Sequence, residues 1–306
     1  MPLHDKLIEN VKKVVKGKDE QIKLVISTLY AGGHVLLEDV PGVGKTILAR
    51  SLALSLSLNF KRVQFTPDLL PTDLTGLSVY DRRDDMFKFR EGPIFTDILL
   101  ADEINRATPR TQSALLEATA EGQVTVDGIT HKLSKNFFVI ATQNPIEYEG
   151  TFPLPEAQLD RFMARISLGY PDFESEIKIL ESQKVKHPIE DLKTVGTVEE
   201  FEKEKLKIKA VKVSDEVKRY IVNIINETRK HESLKYGASP RGSLSLMYMS
   251  MAWAYINSRD YVLPDDVKKI APYVLNHRIV QTTESKILRE TKEDILKDIL
   301  NKVSVI

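Results

Sequence analysis

The stretch His34-Val-Leu-Leu-Glu-Asp-Val-Pro-Gly-Val-Gly-Lys-Thr46 decides the fold of this chain. It predicts a short buried strand, a glycine loop, and a helix that runs from Ile47 to about Leu58. In that order the loop amides lie at a helix N-terminus, where they can point at phosphate oxygens. Lys45 then supplies a positive charge for the terminal phosphates, and the Thr46 hydroxyl can hold Mg²⁺. The sequence therefore predicts a phosphate-binding loop.

One position of the loop departs from the strict pattern. That pattern has a glycine at position 39, and this chain has Asp39. We expect this carboxylate to turn away from the phosphates, because facing them would be repulsive. A loop ending in Gly-x-Gly-Lys-Ser/Thr arises by chance in roughly 1% of chains of this length. A plain glycine turn that begins a helix therefore stays open as an alternative until a second motif is found.

The second motif follows another predicted strand. Ile98-Leu-Leu-Ala101 is a continuous apolar run, as expected of a strand buried on both faces, and Asp102-Glu103 comes directly after it. Ligands bind at this end of the strands in open α/β sheets. We predict that Asp102 belongs to the Mg²⁺ shell and that Glu103 polarises the attacking water. Such an acidic pair can also cap a helix, but beside a phosphate loop it favours hydrolysis, of ATP more than of GTP.

Three further polar residues are candidates for the same chemistry. Asn144 follows the apolar run Phe137–Ala141 and could orient the lytic water, although a turn residue before proline is an equal alternative. Arg161 lies in Leu159-Asp-Arg-Phe162. Arg241 lies in the first turn of a helix capped by Ser239, where a cation is disfavoured by the helix dipole. That position hints at a ligand, and a plain surface arginine is the alternative.

Five motifs in this order resemble those of AAA+ ATPases, and several match the MoxR branch closely. The motifs are Gly42-Val-Gly-Lys-Thr46, Leu100-Ala-Asp-Glu-Ile-Asn-Arg106, Ala141-Thr-Gln-Asn-Pro145, Glu156-Ala-Gln-Leu-Asp-Arg-Phe162 and Ser239-Pro-Arg241. The resemblance covers nearly the whole chain.

The resemblance implies a role for each candidate residue. Asn144 would be the sensor-one residue, Arg161 the arginine finger that reaches a neighbour's γ-phosphate, and Arg241 the sensor-two arginine of the lid. The adenine pocket would be lined by Val14, Val15 and Gly17. The nucleotide would also contact Gly42, Val43, Gly44, Lys45, Thr46 and Ile47. The implied cofactors are ATP and Mg²⁺, and the implied assembly is a homo-oligomer, most often a hexameric ring.

The pattern of apolar residues predicts two domains. Residues 1–170 alternate helices with short strands near residues 34–38, 62–65, 98–101, 137–141 and 165–168, which predicts a doubly wound parallel sheet. One helix in this part is bounded by Thr108 and Gly122. Residues 171–306 predict a helical lid, in which Ser214 caps one helix and Pro264 begins another. Two insertions interrupt the sheet domain: a hairpin over Leu77–Phe89 with a polar tip at residues 81–85, and a hairpin around Asp127-Gly128. Long insertions are usually functional, so we expect these hairpins to couple the site to a partner, with surface decoration as the alternative.

Composition narrows the partners and the location. The 306 residues include 44 basic and 44 acidic side chains and no cysteine. The zero formal net charge argues against nucleic acid as the partner, and the absence of cysteine excludes disulfides. No apolar run suits a signal peptide or membrane insertion, so we expect a cytoplasmic protein.

The resemblance implies a chaperone-like ATPase that remodels partner proteins or inserts metal ions or cofactors. Relatives of this kind commonly work with proteins that carry a von Willebrand factor A domain. Two alternatives stay open: a nucleic-acid-stimulated motor, and a nucleotide-dependent switch that does not turn over repeatedly.

Overall fold

The computed structural model describes residues 1–145, 150–182 and 187–305. The strands in chain order are β1 (Val35–Glu38), β2 (Phe60–Gln64), β3 (Gly76–Asp81), β4 (Met86–Glu91), β5 (Ile98–Asp102), β6 (Gln123–Val126), β7 (Ile129–Lys132), β8 (Phe138–Gln143), β9 (Ala164–Ile166), β10 (Leu234–Tyr236) and β11 (Val280–Gln281). The helices are α1 (Leu3–Lys12), α2 (Asp19–Tyr30), α3 (Lys45–Ser55), α4 (Pro71–Thr75), α5 (Pro109–Glu121), α6 (Glu156–Leu159), α7 (Phe173–Ser182), α8 (Val198–Lys209), α9 (Asp215–Lys230), α10 (Pro240–Ile256), α11 (Pro264–Leu275), α12 (Thr283–Ile287) and α13 (Lys292–Lys302).

A five-stranded parallel sheet lies at the centre of the first half. Its order is β2-β5-β8-β1-β9, with β1 hydrogen-bonded to both β8 and β9. Strands β5 and β8 are apolar and buried, as predicted for strands covered on both faces. Along β1, Val35 and Leu37 pack into one apolar cluster and Leu36 into a second one on the opposite face. The predicted doubly wound parallel sheet is confirmed.

Three predicted boundaries were wrong by a few residues. The helix after the phosphate loop begins at Lys45, not Ile47, and ends at Ser55, not near Leu58. It ends there because Ser57 has a φ of 55°, which a helix cannot continue. Strand β2 begins two residues before the predicted Arg62. Strand β9 ends at Ile166, not Leu168, because the Leu168 amide donates to Asp39.

Both inserted hairpins are present. Strands β3 and β4 pair in antiparallel register around residues 82–85, and β6 and β7 pair around Asp127-Gly128. Asp127 and Gly128 have φ values of 51° and 79°, as a type I′ turn requires. Helix α5 leads into the second hairpin and ends at Gly122, which has a left-handed φ of 63° as expected for a helix C-cap.

The second half is mainly helical. Ser214 caps α9 by accepting a hydrogen bond from the Val217 amide, and Pro264 begins α11, both as predicted. Helix α10 packs against α2, α9 and α11, and so joins the helical region to the N-terminal helices. The short antiparallel pair β10–β11 is an addition to the predicted helical lid. No helix in the described ranges is both long enough and apolar enough to cross a membrane.

Candidate nucleotide-binding site

The loop between β1 and α3 has the backbone that a phosphate-binding loop requires. Gly42 and Gly44 have φ values of 87° and 94°, and each faces open space where a side chain would start. A residue with a Cβ would be strained in this left-handed region, so both positions require glycine. Gly44 is the residue before α3, and the loop therefore ends at a helix N-terminus.

The Lys45 side chain lies in the loop, where burial and nearby carboxylates act in opposite directions on its pKa. Its Nζ donates a hydrogen bond to the Asp39 carbonyl at 2.8 Å. Burial lowers the pKa of the Lys45 ammonium, while the carboxylates of Asp39, Asp102 and Glu103 act in the opposite direction. The positive charge therefore lies among carboxylates, as expected of a lysine prepared for an anionic ligand.

The Asp39 side chain is hydrogen-bonded to the residues that follow β9. Its carboxylate accepts hydrogen bonds from the Ser167 hydroxyl at 2.7 Å and from the amides of Leu168 and Gly169 at 2.6 and 2.9 Å. The expectation that Asp39 turns away from the phosphate loop is confirmed. It ties β1 to the chain after β9, which explains how a carboxylate is tolerated where the strict pattern has glycine.

A cavity of about 360 Å³ unites the loop with the acidic pair and with Asn144. It is lined by Pro41, Gly42, Gly44, Lys45, Thr46, Ile47, Arg62, Gln64, Asp102, Glu103 and Asn144. The Thr46 hydroxyl and the Asp102 carboxylate supply oxygen donors to the same space. Oxygen donors are the ligands that Mg²⁺ prefers, and Mg²⁺ commonly takes few protein ligands and completes its shell with phosphates and water. The two residues present therefore fit the predicted metal.

A second cavity, of about 300 Å³, adjoins the first through Gly42, Gly44 and Ile47. Its walls also include the predicted Val14, Val15 and Val43, together with Lys16, Lys18, Pro171, Ile179 and His187. The apolar residues among these suit the flat face of a base. Gly17 is absent from this lining over the described part of the chain, and lies instead against Ser175 of α7.

The acidic pair is held by side chains from the two strands on either side of β5. The Thr142 hydroxyl donates to Asp102 Oδ1 at 2.6 Å and accepts from the Glu103 amide at 2.8 Å. Arg62 donates to Asp102 Oδ2 at 2.7 and 3.1 Å. Gln64 donates to Glu103 Oε2 at 2.6 Å. Both carboxylates are therefore held in place by hydrogen bonds from the protein itself.

The sequence analysis missed Arg62, Gln64 and Arg106 as members of the site. Arg106 follows Glu103 in a 3₁₀ turn and donates to Glu103 Oε2 at 2.9 Å. A signal for the two others was present, because Arg62 and Gln64 alternate with apolar residues along β2. In the parallel register Gln64 lies beside Asp102. Polar residues at the carboxyl end of a strand next to β5 point to the same edge of the sheet.

Two predicted arginines lie apart from the cavities. Arg161 donates to the Leu116 carbonyl of α5 at 2.6 Å, and Arg241 contacts Asp160 at 3.4 Å with its side chain about half exposed. Neither arginine lines either cavity within the described residues. The remaining candidate, Asn144, is 5% exposed and lies directly after β8 in the wall of the larger cavity.

Comparisons with known proteins agree with this geometry. The model of the ATPase family associated with various cellular activities (AAA) matches residues 34–164, and the AAA lid domain model matches residues 226–299. The uncharacterized protein YeaC of Bacillus subtilis is 50% identical over 99% of this chain and 95% of its own length. The chaperone MoxR1 of Mycobacterium tuberculosis is 38% identical over 98% of this chain and 82% of its own length. A crystal structure from Cytophaga hutchinsonii, of a protein named as an ATPase, matches with a TM-score of 0.93 and 39% identity. The match covers 99% of this chain and 94% of the Cytophaga hutchinsonii chain.

Proposed function

This chain belongs to the MoxR family of AAA+ ATPases, and we propose that it hydrolyses ATP with Mg²⁺ to change the conformation of partner proteins. The observation that carries the proposal is the cavity of about 360 Å³. It brings together the phosphate loop, the acidic pair and Asn144, which lie on three separate connections of the sheet.

We assign binding of the phosphates to the loop amides and to Lys45. The base enters the adjoining cavity between Val14, Val15 and Val43. The oxygens of Thr46 and Asp102 hold Mg²⁺, which when bound neutralises charge on the transferred phosphoryl group. These assignments rest on the shared lining of the cavities and on the chemistry of the side chains.

We assign activation of water to Glu103 and Asn144. The Glu103 carboxylate accepts the proton of the attacking water, and the Asn144 amide orients that water toward the γ-phosphate. Gln64 and Arg106 both donate to Glu103 Oε2, so they fix the direction in which the carboxylate acts.

We propose that the working unit is a ring, most simply a hexamer, in which Arg161 completes the site of the next subunit. Arg161 lies outside the lining of its own cavities in the described chain, as a residue acting on a neighbour would. Arg241, from the helical region, would approach nucleotide when the lid, proposed as residues 171–306, closes on the domain of residues 1–170.

We propose protein clients as the partners, because a relative is named a chaperone and because the first hairpin exposes apolar side chains. Phe87 is 71% exposed, and Tyr80 and Met86 beside it are about half exposed. Proteins with a von Willebrand factor A domain, and clients that receive metal ions or cofactors, are the classes to test first, in a cytoplasmic setting.

The test is ATP binding and turnover by the purified protein and by Lys45→Ala. Removing the ammonium leaves the phosphates without their main positive partner in the loop. A hydrogen bond to a charged group contributes about 3 kcal/mol, so the affinity for ATP should fall by about 10²-fold or more. Lys268→Ala, at an exposed lysine of α11, is the matched control and should bind normally. Unchanged ATP affinity in Lys45→Ala would exclude the loop as the phosphate site.

A further inference from the structure

A buried arginine joins the helical region to the loop that carries Arg161. Arg278 follows α11, and its side chain is 1% exposed. It donates to the carbonyl of Asp160 at 3.1 Å, of Phe162 at 2.7 Å and of Met163 at 3.0 Å. These three carbonyls lie on both sides of Arg161, between α6 and β9. A side chain from the helical region therefore holds the backbone around Arg161 by three hydrogen bonds.

The Asp160 carboxylate is shared between two arginines of the helical region. Its Oδ1 accepts from Arg278 Nε at 2.8 Å, and its Oδ2 accepts from Arg241 at 3.4 Å and from the Ser239 hydroxyl at 3.3 Å. On the lid side, Arg278 also donates to the Ser245 hydroxyl at 3.2 Å and to the Val274 carbonyl. One carboxylate thus connects Arg241, at the start of α10, with Arg278, after the end of α11.

The charge of Arg278 is maintained despite its burial. Desolvation lowers the pKa of its guanidinium to about 10, and Asp160 acts in the opposite direction. At neutral pH the group is therefore still a cation. A planar guanidinium can direct several N–H groups at fixed angles to the carbonyls around Arg161, which the single ammonium of a lysine cannot reproduce.

We propose that Arg278 is a positioning residue that fixes Arg161 relative to the lid, and that Asp160 couples this placement to Arg241. When Arg241 turns from Asp160 to nucleotide, the Asp160–Arg278 pair is left as the link between lid and loop. Movement of the lid in one subunit is then passed to the arginine that the subunit offers to its neighbour. This inference rests on the proposed ATPase function and adds to it a path between adjacent sites.

The test uses Arg278→Gln, which keeps a polar side chain but loses the charge and most donors. We expect ATP affinity to stay within about threefold and turnover to fall by roughly 10²-fold, since a misplacement of about 1 Å can cost that much. Mixed rings distinguish positioning of the finger from a general defect. Arg278→Gln subunits have an intact nucleotide site, so mixing them with Lys45→Ala subunits, which have an intact finger, should restore activity. Mixing them with Arg161→Ala subunits should not.

Controls separate this proposal from the function on which it rests. Arg259→Gln breaks a bidentate ion pair with Asp266, at 2.5 Å, near the opposite end of α11, and should leave turnover unchanged. Asp160→Asn, a smaller change, should show the same mixing pattern, and it decides the question if Arg278→Gln does not fold.

Restoration of activity in rings of Arg278→Gln with Arg161→Ala would place Arg278 in the nucleotide site of its own subunit and overturn the proposal. So would normal turnover by both Arg278→Gln and Asp160→Asn. Failure of Arg161→Ala to be rescued by Lys45→Ala would instead overturn the finger assignment in the proposed function.

Discussion

Glu103 has a backbone conformation that few residues with a side chain adopt. Its φ of 55° lies in the left-handed region, which costs about 1–3 kcal/mol for a residue other than glycine. The Glu103 amide donates a hydrogen bond to the Thr142 hydroxyl, and the Glu103 carboxylate accepts hydrogen bonds from Gln64 and Arg106. These hydrogen bonds hold the residue in its conformation. Strain that is supported by its surroundings in this way is typical of a residue whose direction matters for chemistry.

Replacing Glu103 by Gln tests its role as the base. The amide keeps the shape of the side chain but cannot accept the proton of water, while Asp102 is unchanged. We expect normal Mg-ATP binding and turnover slower by about 10²–10⁴-fold, measured by phosphate release under saturating ATP. Wild-type turnover in this variant would refute the base assignment. Glu117→Gln, at an exposed position of α5, is the matched control because it makes the same chemical change.

His34 makes stability depend on pH for a reason visible in its hydrogen bonds. Its Nδ1 accepts from the Val139 amide at 3.0 Å, and its Nε2 lies 3.2 Å from the Thr119 carbonyl. This arrangement requires the neutral ring, because a protonated Nδ1 would face an N–H donor. Burial lowers the pKa of His34 to about 4, from a usual 6.5.

Acid should therefore destabilise the protein through His34. Since the folded pKa is depressed, the contribution is present above about pH 6.5 and is lost as pH falls toward 4. Between pH 7 and 5 the loss is about 2 kcal/mol at ~1.4 kcal/mol per pH unit. Urea unfolding at both pH values should show this loss, and His34→Gln should reduce it. An equal pH dependence in wild type and His34→Gln would contradict the argument.

The sequence predicted those site residues that short motifs mark. Lys45 begins the helix that the loop after β1 leads into, Asp102 ends β5, and Glu103 and Asn144 directly follow β5 and β8. The order of elements along the chain is therefore enough to bring these residues to one edge of the sheet. Arg278 could not be found in this way. Its partners are 115 to 118 positions away in sequence, and only the packing of the lid on the sheet brings them together.

At the scale of elements, the two inserted hairpins form one unit. Phe89 of β4 stacks on His131 of β7 with ring centroids 3.9 Å apart and an angle of 19°, and Phe95 packs edge-on against Phe89. Aromatic contacts of this kind stabilise by about 0.5–1.5 kcal/mol beyond the area they bury. This contact joins β4 to β7, and α5 connects the second hairpin to the chain that follows the acidic pair.

Shortening either hairpin tests whether it serves a partner. Deleting residues 81–85, or shortening the turn at Asp127-Gly128, removes nothing that lines the two cavities in the described chain. We expect ATP affinity to be retained and partner-dependent stimulation of turnover to be lost. Asp85→Gly is the control, because glycine readily adopts the φ of 52° found there and should preserve the hairpin. Unchanged stimulation after both deletions would make the hairpins decoration.

The order of elements was predictable, and some of their ends were not. Alternating apolar strands and capped helices predicted the parallel sheet, both hairpins and helices α5, α9 and α11. The end of β9 depends on a contact that local sequence does not encode. Leu168 has the apolar character of a strand residue, but its amide is taken by Asp39, which is distant in sequence and adjacent in space.

At the scale of the whole molecule, the proposed arginine finger lies apart from the nucleotide cavities of its own chain. Arg161 lies beyond the lining of both cavities in the described ranges and contacts α5 of its own chain. Under the proposed ring arrangement, an isolated subunit lacks the cation that completes the transition state. Such a finger is commonly worth 10³–10⁵ in rate, so turnover should rise steeply with protein concentration as subunits assemble.

Arg161→Ala tests this division of the site between subunits. We expect the variant to bind ATP as the wild type does, because its own loop, acidic pair and Asn144 are intact, and to lose at least 10³-fold in turnover. Mixing it with Lys45→Ala should restore part of the activity, since one variant keeps a site that binds ATP and the other keeps the finger. Sedimentation must first show that mixed rings form.

Arg165→Ala is the matched control, because Arg165 lies four residues after Arg161 and pairs with Glu38 at 3.1 Å in its own chain. If Arg165→Ala loses turnover and is rescued by Lys45→Ala, while Arg161→Ala keeps wild-type activity, the finger is Arg165 and the assignment to Arg161 is wrong.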